Sequence, residues 1–417
     1  MTVSNEYQLG FKDNVSTTYC SFLINQTIQY YLNNESNVLC LFLDASKAFD
    51  RVRHDKLFPY LIGRNICPLI LRIIAIMYAQ NSARVRWNSS ISESFYMTCG
   101  VKQGGILSPF LFNLYLETLI NSITNSKIGC HVGNKPANIF SYADDIVILA
   151  PTVNSLKQLI RIIDIFKEDF SINFNPDKSF ILFYSNSDVN GYFNIFLDNV
   201  KIQVMSQGKH LGFNMVNNRE MYEIKSFIND IYVRSNVIKN NFKQLDSQVK
   251  KELFNSHCLS LYGCELWDLQ SKHIVQLEIA WRKCIRCILK LLYRTCSHLI
   301  PNLIKTTDIR NIIENRQMNF MIKGLNHNSH LISFFCKNAM MSNNYFKRNI
   351  NIILKNNIEF KYTDIFLGNK VKFKISKIDE LWRIDMINEL LYLRDFHIYD
   401  ILDLTQINSL IDYICTF

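Results

Sequence analysis

The run Tyr142-Ala143-Asp144-Asp145 lies between Ile139-Phe140 and Ile146-Val147-Ile148-Leu149, and it constrains the fold more than any other segment. Two apolar stretches meeting at a short polar tip read as a buried hairpin. Adjacent carboxylates at such a tip repel each other and are poorly solvated between strands. A divalent cation at the tip would offset that charge. Strand side chains alternate, so Asp144 and Asp145 are expected on opposite faces, with one of them the principal ligand. A second carboxylate then has to come from elsewhere.

Asp44 is the candidate. Val38-Leu39-Cys40-Leu41-Phe42-Leu43 is an unbroken apolar run ending on Asp44. It is short for a helix and reads as a central strand buried on both faces, with the acid at its C-terminal end. Gly100-Val101-Lys102-Gln103-Gly104-Gly105 reads as a flexible turn, with Ser108 as N-cap and Pro109 as first residue of an apolar helix. Acids for a metal, a glycine-rich turn and a helix start together point to phosphoryl chemistry.

Leu43-Asp44-Ala45-Ser46-Lys47-Ala48-Phe49-Asp50, then Gly100 to Pro109, then Tyr142 to Asp145 resemble motifs A, B and C of reverse transcriptases, in the family's order. The wording is most similar to the non-LTR, LINE-type (jockey-like) retrotransposon polymerases. Gln8-Leu9-Gly10-Phe11-Lys12 resembles the segment before the palm in that family. Asn175-Pro176-Asp177-Lys178-Ser179 resembles motif D, and Lys209-His210-Leu211-Gly212-Phe213 resembles motif E. Ser260-Leu261-Tyr262-Gly263, Trp281-Arg282-Lys283 and Ser297-His298-Leu299 extend the likeness, which covers residues 8 to 301.

The resemblance implies an α+β fold: a right-hand palm, with an antiparallel sheet packed on helices and partial fingers, followed by an all-helical thumb and C-terminal region. The expected divisions are 1–36 (residual fingers), 37–216 (palm), 217–301 (thumb-like helices) and 302–417 (helical, of unassigned role). It also implies RNA-directed DNA polymerase activity, with dNTP substrates, an RNA template and a DNA primer. Asp44 and Asp144 would hold two Mg2+ ions (or Mn2+), and Asp145 would ligate metal or shape the site. Phe49 would exclude a ribose 2′-OH; its plain alternative is an aromatic packed at a helix start. Gln103 would contact the incoming nucleotide beside Gly104, which permits close backbone approach. Lys178 would protonate or neutralise the leaving pyrophosphate, or be a solvated loop lysine. Tyr142 would floor the primer. Arg282, Lys283, Arg286 and Lys290 recur at helical spacing and form either a stripe against a template–primer duplex or a solvated face.

Some positions depart from the pattern. Lys102 stands where many relatives carry Pro, Arg53 where they often have Trp, and Cys296 where many have His. Seven residues precede Gln8, where relatives carry a fingers region and an endonuclease, so the chain resembles a truncated element. A catalytically inactive remnant that only binds nucleic acid is therefore the alternative to a working polymerase. A maturase or retron-type relative is a weaker third reading.

Of the 46 basic and 36 acidic residues, 18 and 16 fall in 1–216, leaving 28 against 20 in 217–417. The basic excess of the second part suits a phosphate backbone. The polar N-terminus is unlike a signal peptide and no apolar run reaches the ~20 residues that span a bilayer. The expectation is an intracellular protein, nuclear or cytoplasmic, without a membrane or an obligate protein partner. The 12 scattered cysteines read as reduced thiols. Cys284, Cys287, Cys296 and His298 faintly suggest zinc, but cysteines at this helical spacing read first as packing residues.

Local patterning predicts helices over Ser16–Tyr31, Leu57–Met77 (broken near Pro68), Ser108 to about Asn121, and Leu156–Phe170. A strand pair is predicted from Arg84–Trp87 and Phe95–Met97, turning at Asn88-Ser89-Ser90. Further short strands are predicted at Ile181–Phe183 and, turning at Asp198-Asn199, within Phe193–Val204.

Overall fold

The computed structural model describes residues 5–64, 66–186, 193–217, 224–297, 300–303, 307–342 and 344–356. The chain divides into two compact units, one within Met1–Tyr222 and His327–Asn344, the other within Glu223–Asn326 and Tyr345–Phe417.

In the first unit, α1 spans Thr17–Asn33, entered from an extended Ser16 and ended at Asn34. The apolar run forms β1, Val38–Leu43, buried at all six positions. β2 (Ala45–Ser46) follows, then a tight 3-10 turn at Phe49–Arg51. α2 (His54–Ile62) and α3 (Pro68–Ala79) are separate helices; Pro68 opens the second, where its missing N–H costs nothing. β3 (Ser82–Ala83) pairs with β6 (Phe95–Tyr96), and β4 (Arg86–Trp87) with β5 (Ser90–Ile91). The strand pair expected between Arg84–Trp87 and Phe95–Met97 is corrected: a two-residue turn at Asn88-Ser89 folds Trp87 onto Ser90, and Phe95-Tyr96 pairs one step earlier in the chain.

α4 covers Ser108–Asn125; its N-cap is Leu107, one residue before the expected Ser108. β7 (His131–Val132) and β8 (Lys135–Pro136) form a small hairpin before β9 (Ile139–Tyr142) and β10 (Asp145–Ala150). α5 (Val153–Phe170) starts in a capping box of Thr152 and Ser155. β11 (Asn173–Phe174) pairs with β2, and β12 (Phe180–Tyr184) joins the main sheet. β13 (Phe196–Leu197) and β14 (Val200–Lys201) flank Asp198-Asn199, both left-handed, as a tight hairpin turn requires. β15 (Gln203–Met205), then the hairpin of β16 (Gln207–His210) and β17 (Phe213–Val216), complete the strands.

The main sheet has the order β15-β12-β1-β10-β9. Its pairs are antiparallel except β12 with β15, which is parallel. The expected antiparallel sheet is thus a mixed one, because the Asp198 hairpin reverses the chain before β15 reaches the edge. On one face Leu39, Leu41, Leu43, Ile146 and Ile148 share a core with Leu111, Leu114, Leu156 and Ile163 from α4 and α5. The other face is covered by α1 and by α11 (His330–Met341), whose Phe335 lies 6.0 Å from the Phe140 ring. That helix belongs to the palm unit although it lies far along the chain, a return that the division at 302 did not anticipate. Tyr7 to Leu9 extend the sheet past β9: Leu9 N–H donates to the Ser141 carbonyl at 2.7 Å and Ser141 N–H to that of Tyr7 at 3.0 Å.

The second unit is helical: α6 (Ile224–Asn241), α7 (Ser247–Cys258), α8 (Lys272–Ile288), α9 (Ile300–Leu303), α10 (Ile309–Leu325) and α12 (Tyr345–Asn356). Buried amides fasten it: Gln317 donates to the carbonyls of Cys264 and Trp267 at 3.0 and 2.8 Å, and Asn349 donates to Trp267 and Gln317. Among the described residues no helix is long and apolar enough to cross a membrane.

In the first unit, buried Glu117 of α4 is ion-paired with Arg64, whose guanidinium also donates to Tyr60 Oη at 2.7 Å. Removing the cation strands a buried carboxylate, so Arg64→Met should lower stability by roughly 3 kcal/mol in urea unfolding. A loss below 0.5 kcal/mol, the usual size for a surface substitution, would show that the pair is hydrated.

Candidate active site

The strand register brings the acids together. Leu43 is the partner of Ile146, so one step further Asp44 stands opposite Asp145. Directly opposed strand residues have Cβ atoms about 4.5–5.5 Å apart, close enough for two carboxylates to feel each other strongly. Tyr142 pairs with Asp145, which makes Ala143-Asp144 the two-residue turn of the β9–β10 hairpin. The expected alternation of Asp144 and Asp145 across a strand is therefore corrected. Asp144 lies in the turn, Asp145 opens β10, and the alternation rule does not govern their separation.

Charge and burial follow from this placement. The Asp145 carboxyl is pushed up to about 6 by burial first and then by the charges of Asp144 and Asp44. Asp144 is also raised, by burial foremost and by Asp44, against the opposing pull of its own backbone N–H. Asp145 is felt in turn by the buried Cys20 thiol of α1, which puts it on the α1 side of the sheet. Asp44 is more open, with a side chain 42% exposed.

The loop resembling motif D wraps Asp44. Its N–H donates to Ser179 Oγ at 3.2 Å, its carbonyl accepts from Asn175 N–H at 2.8 Å, and Lys178 Nζ lies 3.9 Å from its carboxylate. Both partners of that last contact are solvated, so it is a weak, screened pair. Ser179 was not singled out from the sequence; a small hydroxyl beside a lysine carries no distinctive signal.

On the other side, the 3-10 turn and the glycine-rich turn are tied. Val101 N–H donates to the Phe49 carbonyl at 2.8 Å, and Gly100 N–H to that of Val52 at 2.8 Å. Phe49 is half-buried and stacks on Phe112 of α4, ring centroids 4.6 Å apart. It therefore packs against the core. Gln103 donates to Asp50 Oδ1 at 3.2 Å, a partner the sequence did not flag. Gly104, at φ +78°, has open space where a side chain would project. Tyr142 is half-buried beside Asp145.

A different segment holds the hairpin from beneath. Gln8 is fully buried; its Oε1 accepts from Ala143 N–H at 2.8 Å and Gly10 N–H at 3.0 Å, and its Nε2 donates to the Ala143 carbonyl at 3.1 Å. The sequence signal was a lone amide inside the segment Gln8–Lys12, read only as a resemblance and without a role.

The basic residues at 282–290 do not form an open stripe. Arg282 is paired with Asp308 at 2.5 Å, and Arg286 donates to the Thr295 carbonyl and Ser297 Oγ. Lys283 and Lys290 are exposed, Lys283 lying 5.8 Å above the Tyr232 ring. In the same unit Cys284 is buried with its thiol accepting from Ser235 Oγ at 3.2 Å, as a packing residue does. His298 and residues 357–417 lie outside the described residues.

Among the described residues no group of three or more His, Cys, Asp or Glu side chains forms a ready-made cage for a metal ion. The site instead offers oxygen ligands at a solvent-facing edge. That donor set suits a hard divalent cation held by one or two carboxylates, with water and substrate phosphates supplying the rest. Burial first, and then mutual charge, raise Asp144 and Asp145, and a cation would offset both.

Residues 2–215 match the family described as reverse transcriptase (RNA-dependent DNA polymerase). The chain is 33% identical over 138 residues to the Pol polyprotein of the type-2 retrotransposable element R2DM of Drosophila melanogaster, a match covering 33% of this chain and 13% of that protein. It is 22% identical over 301 residues to the probable RNA-directed DNA polymerase of transposon BS of the same organism, covering 68% and 32%. Apo telomerase from Candida tropicalis aligns over 88% of this chain and 57% of its own, at 12% identity and a TM-score of 0.43. The chain thus spans between about an eighth and a third of the length of these curated relatives. With the family match running through all five strands of the main sheet and all three acids, the protein belongs to the reverse transcriptase family.

Proposed function

We propose that this chain carries the RNA-directed DNA polymerase centre of a non-LTR retrotransposon protein, joining a dNTP to a primer 3′ hydroxyl on an RNA template. The observation that carries the reading is the register that sets Asp44 opposite Asp145, with Asp144 in the adjoining turn. Asp44 and Asp144 would hold two Mg2+ ions, with Asp145 as a third oxygen donor or as the charge that shapes their seat. Two such ions supply Lewis-acid activation of the primer hydroxyl and stabilise the pyrophosphate leaving group. Phe49, pinned by Phe112, supplies a rigid wall against a ribose 2′-OH. Gln103 and the open backbone at Gly104 meet the incoming nucleotide. Lys178, exposed and only weakly paired with Asp44, neutralises or protonates the leaving pyrophosphate. Tyr142 supports the primer end. Lys283 on α8 and Lys290, in the turn just past its end, are the members of the basic set available to a phosphate backbone, and Arg282 and Arg286 hold that helix in place.

Primer extension on poly(rA)/oligo(dT) with Mg2+ is expected, and Asp144→Asn should reduce it at least about a hundredfold, since metal stabilisation of the transition state is worth several kcal/mol. A wild type that binds the hybrid yet extends nothing would select the binding-only remnant instead. Phe49→Ala should raise ribonucleotide use relative to dNTP by at least about tenfold; unchanged sugar discrimination would remove Phe49 from the gate.

The crowded acids also set a pH dependence. Folded Asp145 binds a proton more tightly than in the unfolded chain, so its ionised form costs stability. That cost is absent below its ordinary 3.8 and fully present above about 6. In EDTA at pH 7.5, Asp145→Asn should therefore be the more stable protein by about 1 kcal/mol, the shift being discounted for partial exposure. The gap should close by pH 4, and a wild type as stable as the variant at pH 7.5 would contradict the crowding.

A further inference from the structure

Ala143 adopts φ +57° in a two-residue hairpin turn. Such turns ordinarily take Gly, Asn or Asp where φ is positive, and another L-residue there is strained. Support comes from outside the hairpin: the Gln8 amide takes both the N–H and the C=O of Ala143. The amide is fully buried, and its oxygen is shared with Gly10 N–H, so it has no rotational freedom. Gly10 lies so close beneath the turn that a Cβ on it would sit 2.4 Å from Ala143 N. The Gly10 carbonyl in turn accepts from Asn113 Nδ2 at 2.8 Å, which ties the assembly to α4.

We propose that Gln8 is a positioning residue for the carboxylates: by gripping the backbone of Ala143 it fixes the turn that presents Asp144 and Asp145 to Asp44, and so sets divalent-ion affinity. Gln8 touches no substrate and acts through the backbone. The inference rests on the metal-site reading above. It predicts a loss that overall destabilisation would not produce, because groups that orient metal ligands typically change affinity by ten- to a hundredfold.

The test is Mn2+ binding to the full chain, followed by the electron paramagnetic resonance of free Mn2+, with near-UV circular dichroism confirming the fold. Gln8→Met and Gly10→Ala should each raise the Mn2+ dissociation constant at least about tenfold. Gln8→Glu, which keeps both acceptor contacts, should fall between them and wild type. Thr152→Ala, destabilising through the lost α5 cap at the opposite end of β10 from Asp145, should bind as wild type does. Should Gln8→Met fail to fold, Gly10→Ala and Gln8→Glu decide. Wild-type affinity in those variants, or an equal loss in Thr152→Ala, would overturn the proposal. Wild-type binding that Asp144→Asn leaves unchanged would instead overturn the metal site itself.

Discussion

The register between β1 and β10 is the constraint on which the rest of the site depends. β1 is buried at every position and paired on both sides, so its alignment cannot slip by one residue without turning its apolar side chains out of the core. Asp44 therefore stands opposite Asp145 as a consequence of hydrophobic packing several residues away. Like charges directly opposed destabilise a sheet, and core packing would not retain them for its own sake. The strand imposes a juxtaposition that electrostatics alone would reject, and such conflicts mark functional sites.

Holding three acids at one edge takes contributions from distant parts of the sequence. The Asn175–Ser179 loop binds the backbone on both sides of Asp44, and the Gln8–Gly10 segment supports Ala143. The 3-10 turn after β2 links Phe49 to the glycine-rich turn. In each case the backbone is hydrogen-bonded while the chemically useful side chain stays at the open edge. Rigid supports under solvent-facing groups are what the proposed phosphoryl transfer would require, since most of the catalysis of such reactions is positioning.

Much of this could be read from the chain alone where local physics decides. The six apolar residues before Asp44, the Pro68 helix start, the Asp198-Asn199 turn and the α5 pattern all folded as their composition demands. The Asn88-Ser89 hairpin, the Leu107 cap and the Ala143-Asp144 turn are local misses of a residue or two, and the larger misreadings share one cause, tertiary placement. Nothing local tells β15 to run parallel to β12, or α11 to return to the α1 face of the sheet. The helical spacing of Arg282 and Arg286 was seen correctly, but Asp308 and the Thr295 carbonyl, which take up their charge, lie on other segments. Gln8 was visible as a residue and silent as to role, because its partner is Ala143, a residue with no polar side chain to suggest one.

A crystal of the full chain grown with Mn2+ and examined by anomalous scattering tests the central claim most directly. Manganese density is expected beside Asp44 and Asp144, the residues that would hold it, and should be lost in Asp144→Asn. Density seated elsewhere, or Asp44 turned away from the β9–β10 turn with no ion between them, would contradict it.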